Sequence, residues 1–554
     1  MKLDTFYEGL ADDALTRGAE PLTQSLISSR TKDGFERQTI HSMMSRKAEE
    51  IGDQPALYEV MADASLGRSW TYSELHGEAE KLGRALANRH DRGERIAVFA
   101  NNLPEWILLE LASAYAGTVL VTVNPALLAR EVRYVLEQSK ASAIYFADFV
   151  RGRALGPVVE EATAGLEHIT YCIRLADEAS MYDGHDRGEL RETAPEDVVQ
   201  IQYTSGTTGF PKGALLHQMG LIQNGIDSVG RMGAQTGDRL PLYMPLFHTA
   251  GCAILTLGGL SRGVTLYLMA DFDPAVAVEL ISKHKLRFMM GVPTMLVAIM
   301  DVAEKTGTDV TSIDGVLSGG SMVAPELVKR SEKVFGVPML IIYGQTEASP
   351  GITGTFADDE IDDLSGTIGL PYPHQDVAIM KPGTSDVLPL GEQGEICSRG
   401  YNVMAAYNDN PDATAATIDE EGWLHTGDLG TMDARGYLKI TGRVKEMIIR
   451  GGENLFPAEI ENALLEHPAI SEIAIVGISD EKWGELVACF MRATDGPKPE
   501  AAELKAFIRE RLSPQKTPAY WIWVDEWPLT GSGKIQRFAL RDQFVEGKFE
   551  ALTA

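Results

Sequence analysis

The most informative stretch of this chain runs Tyr203-Thr204-Ser205-Gly206-Thr207-Thr208-Gly209-Phe210-Pro211-Lys212-Gly213. Hydroxyl side chains and glycines surround a single lysine. Glycine lacks the Cβ atom that would keep a backbone away from a polyphosphate, and it adopts positive φ angles without steric cost. The hydroxyl groups and backbone amides can donate hydrogen bonds, and Lys212 adds a positive charge. The stretch therefore predicts a loop that binds phosphate groups.

The sequence on either side of this loop predicts where it lies. Residues 197–203 have the pattern of a short, partly buried strand, and residues 216–232 that of a helix. The loop is therefore expected between a strand and a helix, where phosphates are commonly bound. It is not a Walker A motif, which needs Gly-Lys-Ser/Thr, because Pro211 precedes the lysine and Gly213 follows it. This difference excludes a generic P-loop nucleotidase.

The composition is that of an ordinary globular protein with more than one domain. The chain has 554 residues, 44% hydrophobic and 23% charged, which is too long for one core. Its four cysteines lie far apart without a C-x-x-C pair, which argues against a disulfide framework or a zinc site. The N-terminus lacks the apolar run of a signal peptide, and the uncharged stretches 111–129 and 240–261 are interrupted by glycine and proline. We expect a cytoplasmic protein without an integral membrane segment.

The net charge of −29 limits the classes of partner. Nucleic acids and anionic lipid surfaces are bound through an excess of lysine and arginine, so both are argued against. A small anionic ligand remains compatible, provided that positive charge is concentrated locally. The lysines and arginines within glycine-rich motifs are therefore the informative ones.

Strands and helices alternate along most of the chain. Predicted strands at 95–100, 118–123, 263–268 and 288–292 flank predicted helices at 104–116 and 274–284, which indicates parallel βαβ units. From 368 to 407, short strands with Gly/Pro punctuation predict a smaller β-rich subdomain. Beyond Gly442 the pattern is a compact α+β unit, with helices at 459–466 and 499–512 and an extended segment at 470–476. The expected fold class is α/β.

Four further segments complete the pattern. They are Tyr343-Gly344-Gln345-Thr346-Glu347, Gly422-Trp423-Leu424-His425-Thr426-Gly427-Asp428, Gly442-Arg443-Val444-Lys445-Glu446-Met447-Ile448-Ile449-Arg450-Gly451-Gly452-Glu453-Asn454 and Pro528-Leu529-Thr530-Gly531-Ser532-Gly533-Lys534. In order and spacing, and over about residues 39–541, the chain resembles the adenylate-forming superfamily of acyl-CoA synthetases, adenylation domains and firefly-type luciferases. The resemblance implies a large N-terminal AMP- and acyl-binding domain, 1–444, and a small mobile C-terminal domain, 445–554, with a hinge near Lys445.

The resemblance also implies a nucleotide site. The Asp428 carboxylate can accept both hydroxyls of a ribose, and Arg443 would add a ribose or phosphate contact. Glu347 would bind Mg²⁺ with help from the Thr204 hydroxyl, since Mg²⁺ takes few protein oxygens besides phosphates and water. Lys534 resembles the mobile catalytic lysine, which stabilises charge at the α-phosphate and holds two anions together. The other implied ATP or AMP contacts are Ser205, Gly206, Thr207, Thr208, Gly209, Lys212, Gly319, Gly320, Ser321, Tyr343, Gly344, Gln345 and Thr346.

An acyl pocket and a coenzyme A path are implied in the same way. A lone histidine in an apolar run is usually a core residue, so a catalytic role for His248 beside the acyl carboxylate rests on the resemblance. The expected acyl pocket residues are His248, Ala250, Gly251, Gly291, Val292 and Ser349. These segments, with Gly351, are small or apolar and suggest room for a chain or ring. Lys445 would be the hinge, and Gly451 and Gly452 would leave width for the pantetheine arm.

The expected reaction has two steps and uses ATP, Mg²⁺ and coenzyme A. A small carboxylic acid, medium-chain or aryl-alkanoic, forms an acyl-adenylate and pyrophosphate, and the thiol of coenzyme A then displaces AMP. A stand-alone adenylation enzyme that loads a carrier protein remains an alternative. A luciferase-like oxidase is disfavoured because Ile449 stands where the resemblance would require a lysine. Amino-acid activation is less favoured, since no aspartate occurs in Thr249-Ala250-Gly251-Cys252. A homodimer is among the oligomeric states left open.

Overall fold

The structure is a computed structural model that describes residues 21–28, 35–204, 211–321, 323–451, 453–480, 482–494, 496–529 and 535–552. The α/β fold class is confirmed, with a large N-terminal part and a small C-terminal part. Within the described ranges, the N-terminal part contains three α/β sheets, one β-rich sheet and a two-stranded hairpin.

The strand before the phosphate loop lies inside a seven-stranded sheet. Across the sheet the strands are Ala406–Tyr407, Lys212–His217, Val198–Thr204, Val119–Val123, Arg95–Phe99, Ala143–Phe146 and Tyr171–Arg174. The last five run parallel. Val119–Val123 is buried along its whole length, as expected of a parallel strand covered by helices on both faces.

The phosphate loop does not lead into a helix, contrary to the sequence-based prediction. Lys212–His217 pairs antiparallel with Val198–Thr204, and Thr204 lies opposite Lys212. The helix begins only at Gln218 and ends at Arg231, and its N-cap His217 accepts a hydrogen bond from the Gly220 amide. The predicted helix, 216–232, overlaps this strand only at residues 216 and 217, so the helix itself was predicted nearly with its observed bounds. The loop therefore connects a hairpin, and the argument from a following helix N-terminus does not hold.

Two smaller sheets complete the α/β portion. One contains Arg239–Leu242, Thr265–Met269, Pro55–Val60 and Leu66–Thr71, and the other Phe288–Gly291, Gly315–Gly319, Met339–Gly344, Gly351–Gly354 and Leu370–Pro371. A short hairpin joins Phe149–Val150 to Arg153–Ala154. The other helices of the N-terminal part are Ile40–Ile51, Tyr72–Arg89, Pro104–Ala116, Ala129–Ser139, Gly156–Thr163, Glu178–Met181, the π-helix Ala250–Gly258, Gly259–Ser261, Pro274–His284, Pro293–Thr306, Pro325–Phe335, Ile361–Gly366 and Pro411–Ala415.

The β-rich sheet differs in extent from the sequence-based prediction of 368–407. Its antiparallel strands are Leu26–Ser28, Gln375–Met380, Gly394–Gly400, Leu424–Met432 and Leu438–Arg443. It thus continues to Arg443, whereas Ala406–Tyr407 joins the seven-stranded sheet. Strand pairing between distant segments determines this division, and such pairing leaves no local signal.

The C-terminal part has its own sheet and its own apolar clusters. Its strands are Ile448–Arg450, Glu453–Leu455, Ile470–Asp480, Gly484–Ala493 and Tyr520–Trp523, and its helices are Pro457–Leu465, Ala501–Arg509 and Arg537–Val545. Trp521 and Phe490 are buried in two separate clusters that contain only residues from Ile448 onward. Among the described residues, no helix is long and apolar enough to cross a membrane.

Candidate active site

Several of the expected site residues lie at strand ends of the sheet that contains Met339–Gly344. Tyr343 and Gly344 close the strand Met339–Gly344, and a 3₁₀ turn, Thr346–Ala348, follows. At Gly344 a Cβ atom would come within 1.9 Å of the Pro350 carbonyl oxygen, so only glycine fits. The Gln345 amide donates to the same oxygen at 2.9 Å. The motif thus forms a tight turn at the carboxyl end of a parallel strand, a usual position for ligand sites in α/β proteins.

Asp428 is buried in the β-rich sheet and faces two donors. Tyr343 Oη donates to Oδ2 at 2.9 Å, and Arg443 Nε donates to Oδ1 at 2.7 Å. Burial and the neighbouring Asp428 raise the pKa of Tyr343 well above its usual value, so the phenol stays a donor. An ionised carboxylate offers about four acceptor positions, so each oxygen can accept a further hydroxyl. The predicted pair Asp428 and Arg443 is therefore brought together.

Glu395, which no motif in the sequence indicates, stabilises the Thr-Gly-Asp turn. Glu395 Oε1 accepts from the Gly427 amide at 2.9 Å, and Oε2 lies 2.9 Å from His425 Nδ1. This hydrogen bond is the main cause that raises the pKa of His425. The turn itself has φ +74° at Gly427. Glu395 lies on the neighbouring strand, about 30 residues earlier, so no local motif could connect it with Asp428.

Tyr407 is a second residue that was not predicted from the sequence, and it contacts both Glu347 and Lys212. Tyr407 Oη donates to Glu347 Oε1 at 2.6 Å, while Lys212 Nζ lies 4.1 Å from the centre of the Tyr407 ring. Burial lowers the pKa of Lys212, and the positive charge of Lys445 acts in the same direction, whereas Glu347 raises it. The lysine of the phosphate loop and the carboxylate predicted to bind Mg²⁺ therefore share one aromatic neighbour.

Thr204 lies at the same end of the seven-stranded sheet as Lys212 and Tyr407. Its Oγ1 is 3.4 Å from the Lys212 carbonyl oxygen, across the hairpin. Tyr134 Oη donates to the Pro211 carbonyl at 2.9 Å and so fixes the end of the loop. The predicted residues Ser205, Gly206, Thr207, Thr208 and Gly209 lie outside the described residues, as do Gly452 and Lys534.

Gly319, Gly320 and Ser321, three of the expected ATP or AMP contacts, form a tight turn where the nucleotide base is expected. Gly319 ends the strand Gly315–Gly319, and a Cβ atom there would come within 2.3 Å of the Ile342 carbonyl oxygen. Gly320 has φ +77°, and both Gly320 and Ser321 are exposed. This edge lies beside Tyr343, because Gly319 and Ile342 are partners in neighbouring parallel strands. The exposed backbone here is accessible to a planar ring.

His248 lies at the entrance to the π-helix Ala250–Gly258. It is half-buried, its ring centroid is 4.5 Å from that of Phe247, and its carbonyl accepts from the amides of Gly251 and Cys252. Single π-turns inside helices occur frequently at functional sites. Ala250 and Val292 are half-buried, whereas Ser349 is buried.

The glycines of the expected acyl pocket do not supply the room that the sequence suggested. A Cβ atom at Gly251 would lie 2.3 Å from the Pro245 carbonyl oxygen, one at Gly291 3.1 Å from Leu296 Cδ2, and one at Gly351 2.5 Å from the Tyr372 ring. Neighbouring backbone and side chains already fill these positions. The glycines therefore permit close packing of the protein itself and do not create space for an acyl chain.

Two of the residues predicted for the hinge and the coenzyme A path, Lys445 and Gly451, lie within the described part of the chain. Lys445 is exposed in the 3₁₀ turn Val444–Glu446, directly after Arg443. Gly451 has φ +62°, and its amide donates to the Trp483 carbonyl at 2.7 Å. A Cβ atom at Gly451 would lie 3.0 Å from the Trp483 indole, so glycine is required there on two grounds.

Comparison with known proteins agrees with this arrangement. Residues 44–408 match the family model of the AMP-binding enzymes, and residues 459–534 match that of the AMP-binding enzyme C-terminal domain. The chain belongs to the adenylate-forming superfamily. The resemblance drawn from the motifs is therefore confirmed.

The related proteins define the reaction class. The chain is 35% identical to a putative acyl-CoA synthetase, YngI, of Bacillus subtilis (strain 168), over 92% of this chain and 98% of the relative. It is 32% identical to the human mitochondrial medium-chain acyl-CoA ligase ACSF2, over 94% of this chain and 89% of the relative. This adenylate-forming protein is accordingly an acid–thiol ligase, an AMP-forming acyl-CoA synthetase.

Solved structures share the whole fold. ATP-bound MatB from Rhodopseudomonas palustris matches with a TM-score of 0.81 at 26% identity, over 92% of this chain and 99% of that one. The o-succinylbenzoate CoA synthetase MenE from Bacillus subtilis, in complex with its acyl-adenylate OSB-AMP, matches with a TM-score of 0.79 at 27% identity over the same shares. ATP and coenzyme A are the substrates that the family implies.

Proposed function

We propose that this acyl-CoA synthetase activates a medium-size monocarboxylic acid with an uncharged tail, such as a medium-chain fatty acid or an aryl-alkanoic acid. The acid's carboxylate attacks the α-phosphorus of ATP, forming the acyl-adenylate and releasing pyrophosphate. The thiolate of coenzyme A then attacks the acyl carbon and AMP leaves, giving the thioester. The observation that carries the adenylate-forming step is that Tyr407 contacts both Lys212 and Glu347.

The ribose and the phosphates would be bound at separate ends of this site. Asp428 accepts the ribose hydroxyls, and Tyr343 and Arg443 fix the orientation of its carboxylate at 2.9 and 2.7 Å. Lys212 lies next to the phosphate loop and carries positive charge toward the polyphosphate. Because burial already lowers the pKa of Lys212, an incoming anion would restore the environment that its ammonium group favours.

The residues near Glu347 fit a magnesium ion. Its carboxylate is buried, and the Tyr407 hydroxyl orients it through a 2.6 Å hydrogen bond. Carboxylate and hydroxyl oxygens, with phosphates and water, are the ligands that Mg²⁺ prefers. Glu347 and Thr204 would hold the ion, which when bound neutralises charge on the phosphates. Tyr407 positions the carboxylate, and Lys212 adds a second, fixed positive charge.

The acyl end is proposed at His248 with Ala250, Gly251, Gly291, Val292 and Ser349. The proposed acid class is supported by the name of the human relative, a medium-chain acyl-CoA ligase. Fold similarity alone does not select the acid, because similar structures include an o-succinylbenzoate CoA synthetase and an anthranilate CoA ligase. The cytoplasmic location and the oligomeric state stay predictions.

The two steps are proposed to use different positions of the C-terminal domain. We place the boundary at 444/445, with Lys445 as the hinge, and this is supported by the apolar clusters that begin only at Ile448. Lys534 would serve adenylate formation. After rotation, the turn containing Gly451 and Gly452 would face the site and admit the pantetheine arm.

Separate assays of the half-reactions test this scheme. The Lys534→Ala variant should lose adenylate formation, measured by pyrophosphate release, by at least two orders of magnitude, on the scale typical of a lost transition-state charge contact. Thioester formation from supplied acyl-adenylate should stay within a few fold. Lys548→Ala, at an exposed lysine near the C-terminus, is the matched control. Equal loss of both half-reactions in Lys534→Ala would contradict the two-position scheme.

A panel of acids tests the substrate class. Each buried methylene contributes about 0.8 kcal/mol, or roughly fourfold in kcat/KM. We expect kcat/KM to rise from acetate to about C6–C10 acids or phenylalkanoates on this scale and then to fall. Assays with and without coenzyme A separate thioester formation from the loading of another acceptor. A charged-tail acid as the best substrate, or acetate better than octanoate, would refute the assignment.

A further inference from the structure

Two helices of the N-terminal part carry a cluster of histidines outside the site described above. His41 lies in the first turn of helix Ile40–Ile51, and His76 and Glu80 lie one turn apart on helix Tyr72–Arg89. Residues four apart on a helix share a face. His41 Nε2 is 3.1 Å from Glu80 Oε1, and His76 Nε2 is 3.8 Å from the same oxygen. The three potential ligand atoms lie within 4.8 Å of one another.

We propose that His41, His76 and Glu80 form a binding site for a divalent transition-metal ion of the zinc type. Glu80 makes no ion pair with a lysine or arginine within the described ranges, and the two imidazoles are its only ion-pair partners there. The three side chains thus direct two nitrogen atoms and one oxygen atom toward each other. The wide spacing of the cysteines has no bearing on such a site.

The distances fit the first shell of a tetrahedral ion. Zinc–ligand bonds of about 2.0–2.2 Å place neighbouring ligand atoms of a tetrahedron about 3.3 Å apart. The observed separations of 3.1 and 3.8 Å lie on either side of that value. His41 and Glu80 are about one-third exposed, at 37% and 32% of the side chain. An ion can therefore enter from solvent, and water can take the fourth position.

The surroundings of His76 prepare it as a ligand. Its Nδ1 is 3.1 Å from the hydroxyl of the buried Tyr115. When the phenol oxygen accepts a hydrogen bond from Nδ1–H, the lone pair of the ring is on Nε2 and can bind a metal ion, and such partners commonly orient metal-binding histidines. The Ser45 hydroxyl, 3.1 Å from Nε2, would turn toward a bound water.

The ligand set selects the class of ion. Two imidazole nitrogens with one carboxylate oxygen suit zinc and neighbouring first-row metals, whereas magnesium and calcium prefer oxygen ligands throughout. The site is built on two capped helices, since Thr39 and Thr71 both form capping boxes at the helix starts. Such a site would tie the helices together and increase the resistance of the N-terminal part to unfolding.

Zinc titration of the full-length, chelator-treated enzyme tests the proposal. Calorimetry with ZnCl₂ in a non-coordinating buffer should give one site per chain, and Co²⁺ should give the visible absorption of a tetrahedral complex. His76→Ala and Glu80→Gln should each weaken zinc binding at least 100-fold, and Tyr115→Phe about 10- to 100-fold. His185→Ala and Glu137→Gln, on exposed positions away from the cluster, should leave it unchanged.

Thermal unfolding gives a second measurement. Saturating zinc should raise the melting temperature of the wild-type enzyme and of the two controls, but not that of Glu80→Gln. His41→Ala removes the most exposed ligand and serves if a buried variant fails to fold. Absence of zinc binding by the wild-type enzyme would overturn the proposal. So would binding that His41→Ala and Glu80→Gln leave unchanged.

Discussion

Replacing Tyr407 by phenylalanine tests how the phosphate end of the site is organised. The change removes one hydroxyl, which donates to Glu347 Oε1 at 2.6 Å, and keeps the ring that lies 4.1 Å from Lys212 Nζ. A hydrogen bond to a charged group contributes about 1.5–3 kcal/mol. If that interaction positions Glu347 for magnesium, its loss corresponds to roughly a 10- to 100-fold change, since 1.36 kcal/mol is a factor of ten.

The assay is pyrophosphate release at fixed ATP and acid while free Mg²⁺ is varied. We expect Tyr407→Phe to raise the Mg²⁺ concentration for half-maximal rate, or to lower kcat, within that 10- to 100-fold range. AMP binding, which needs neither Glu347 nor the metal, should change by less than about threefold. Tyr407→Leu removes the ring as well, and it should additionally weaken ATP binding because Lys212 loses a cation–π contact of about 0.5–2 kcal/mol.

The chain offers a closely matched control in Tyr182. Its hydroxyl donates to Glu78 Oε1 at 2.8 Å, and Lys81 Nζ lies 4.7 Å from its ring centre. Tyr182→Phe therefore removes the same type of hydrogen bond from the same type of Lys–Tyr–Glu group away from the active site. It should leave the Mg²⁺ dependence unchanged. An unaltered Mg²⁺ dependence in a folded Tyr407→Phe enzyme would refute the role given to Tyr407.

Two further changes test other parts of the site. Gly452→Leu should slow thioester formation and let acyl-adenylate accumulate, with adenylate formation within a few fold of wild type; undiminished acyl-CoA production would exclude the pantetheine path proposed there. The pKa of His425 is raised, mainly because its ring donates a hydrogen bond to the Glu395 carboxylate. The stabilising effect of this pair is therefore complete below the unfolded pKa of about 6.5 and is lost as pH rises through the higher folded value. His425→Asn should therefore lower the melting temperature more at pH 6 than at pH 9, with His185→Ala as the control; a pH-independent difference would contradict this assignment.

Helix bounds could be predicted from the sequence where residues typical of a helix start and a helix end flank the helix. The helices Pro104–Ala116 and Pro274–His284 were predicted with their observed bounds. Each has proline in the first turn and a residue of left-handed conformation at its C-terminal cap, Gly117 and Lys285. The family motifs were likewise recognisable because each is a short run of sequence. The structure brings Asp428 to Arg443 and Lys212 to the neighbourhood of Glu347 as the resemblance implied.

The supporting residues could not be predicted because they lie far from the motifs in sequence. Tyr407 acts on Glu347 across 60 residues, and Glu395 acts on Gly427 across 32. Both lie on strands whose neighbours are set by nonlocal pairing, Ala406–Tyr407 beside Lys212–His217 and Gly394–Gly400 beside Leu424–Met432. The same nonlocal pairing explains why the strand Lys212–His217 was not predicted between the phosphate loop and the helix. A single sequence contains the motif but not the partner that orients it.

The glycines show a different limit of sequence reasoning. The sequence suggests room for an acyl chain at Gly251, Gly291 and Gly351. In the structure, a Cβ atom added at each of these glycines would lie only 2.3 to 3.1 Å from a neighbouring protein atom. Glycine in a sequence indicates that a side chain is excluded, but a ligand and a packed neighbour exclude it equally. Only the identity of the atom at the Cβ position separates the two cases. Pocket size here must therefore come from the dependence of kcat/KM on chain length, because each added methylene probes the remaining space directly.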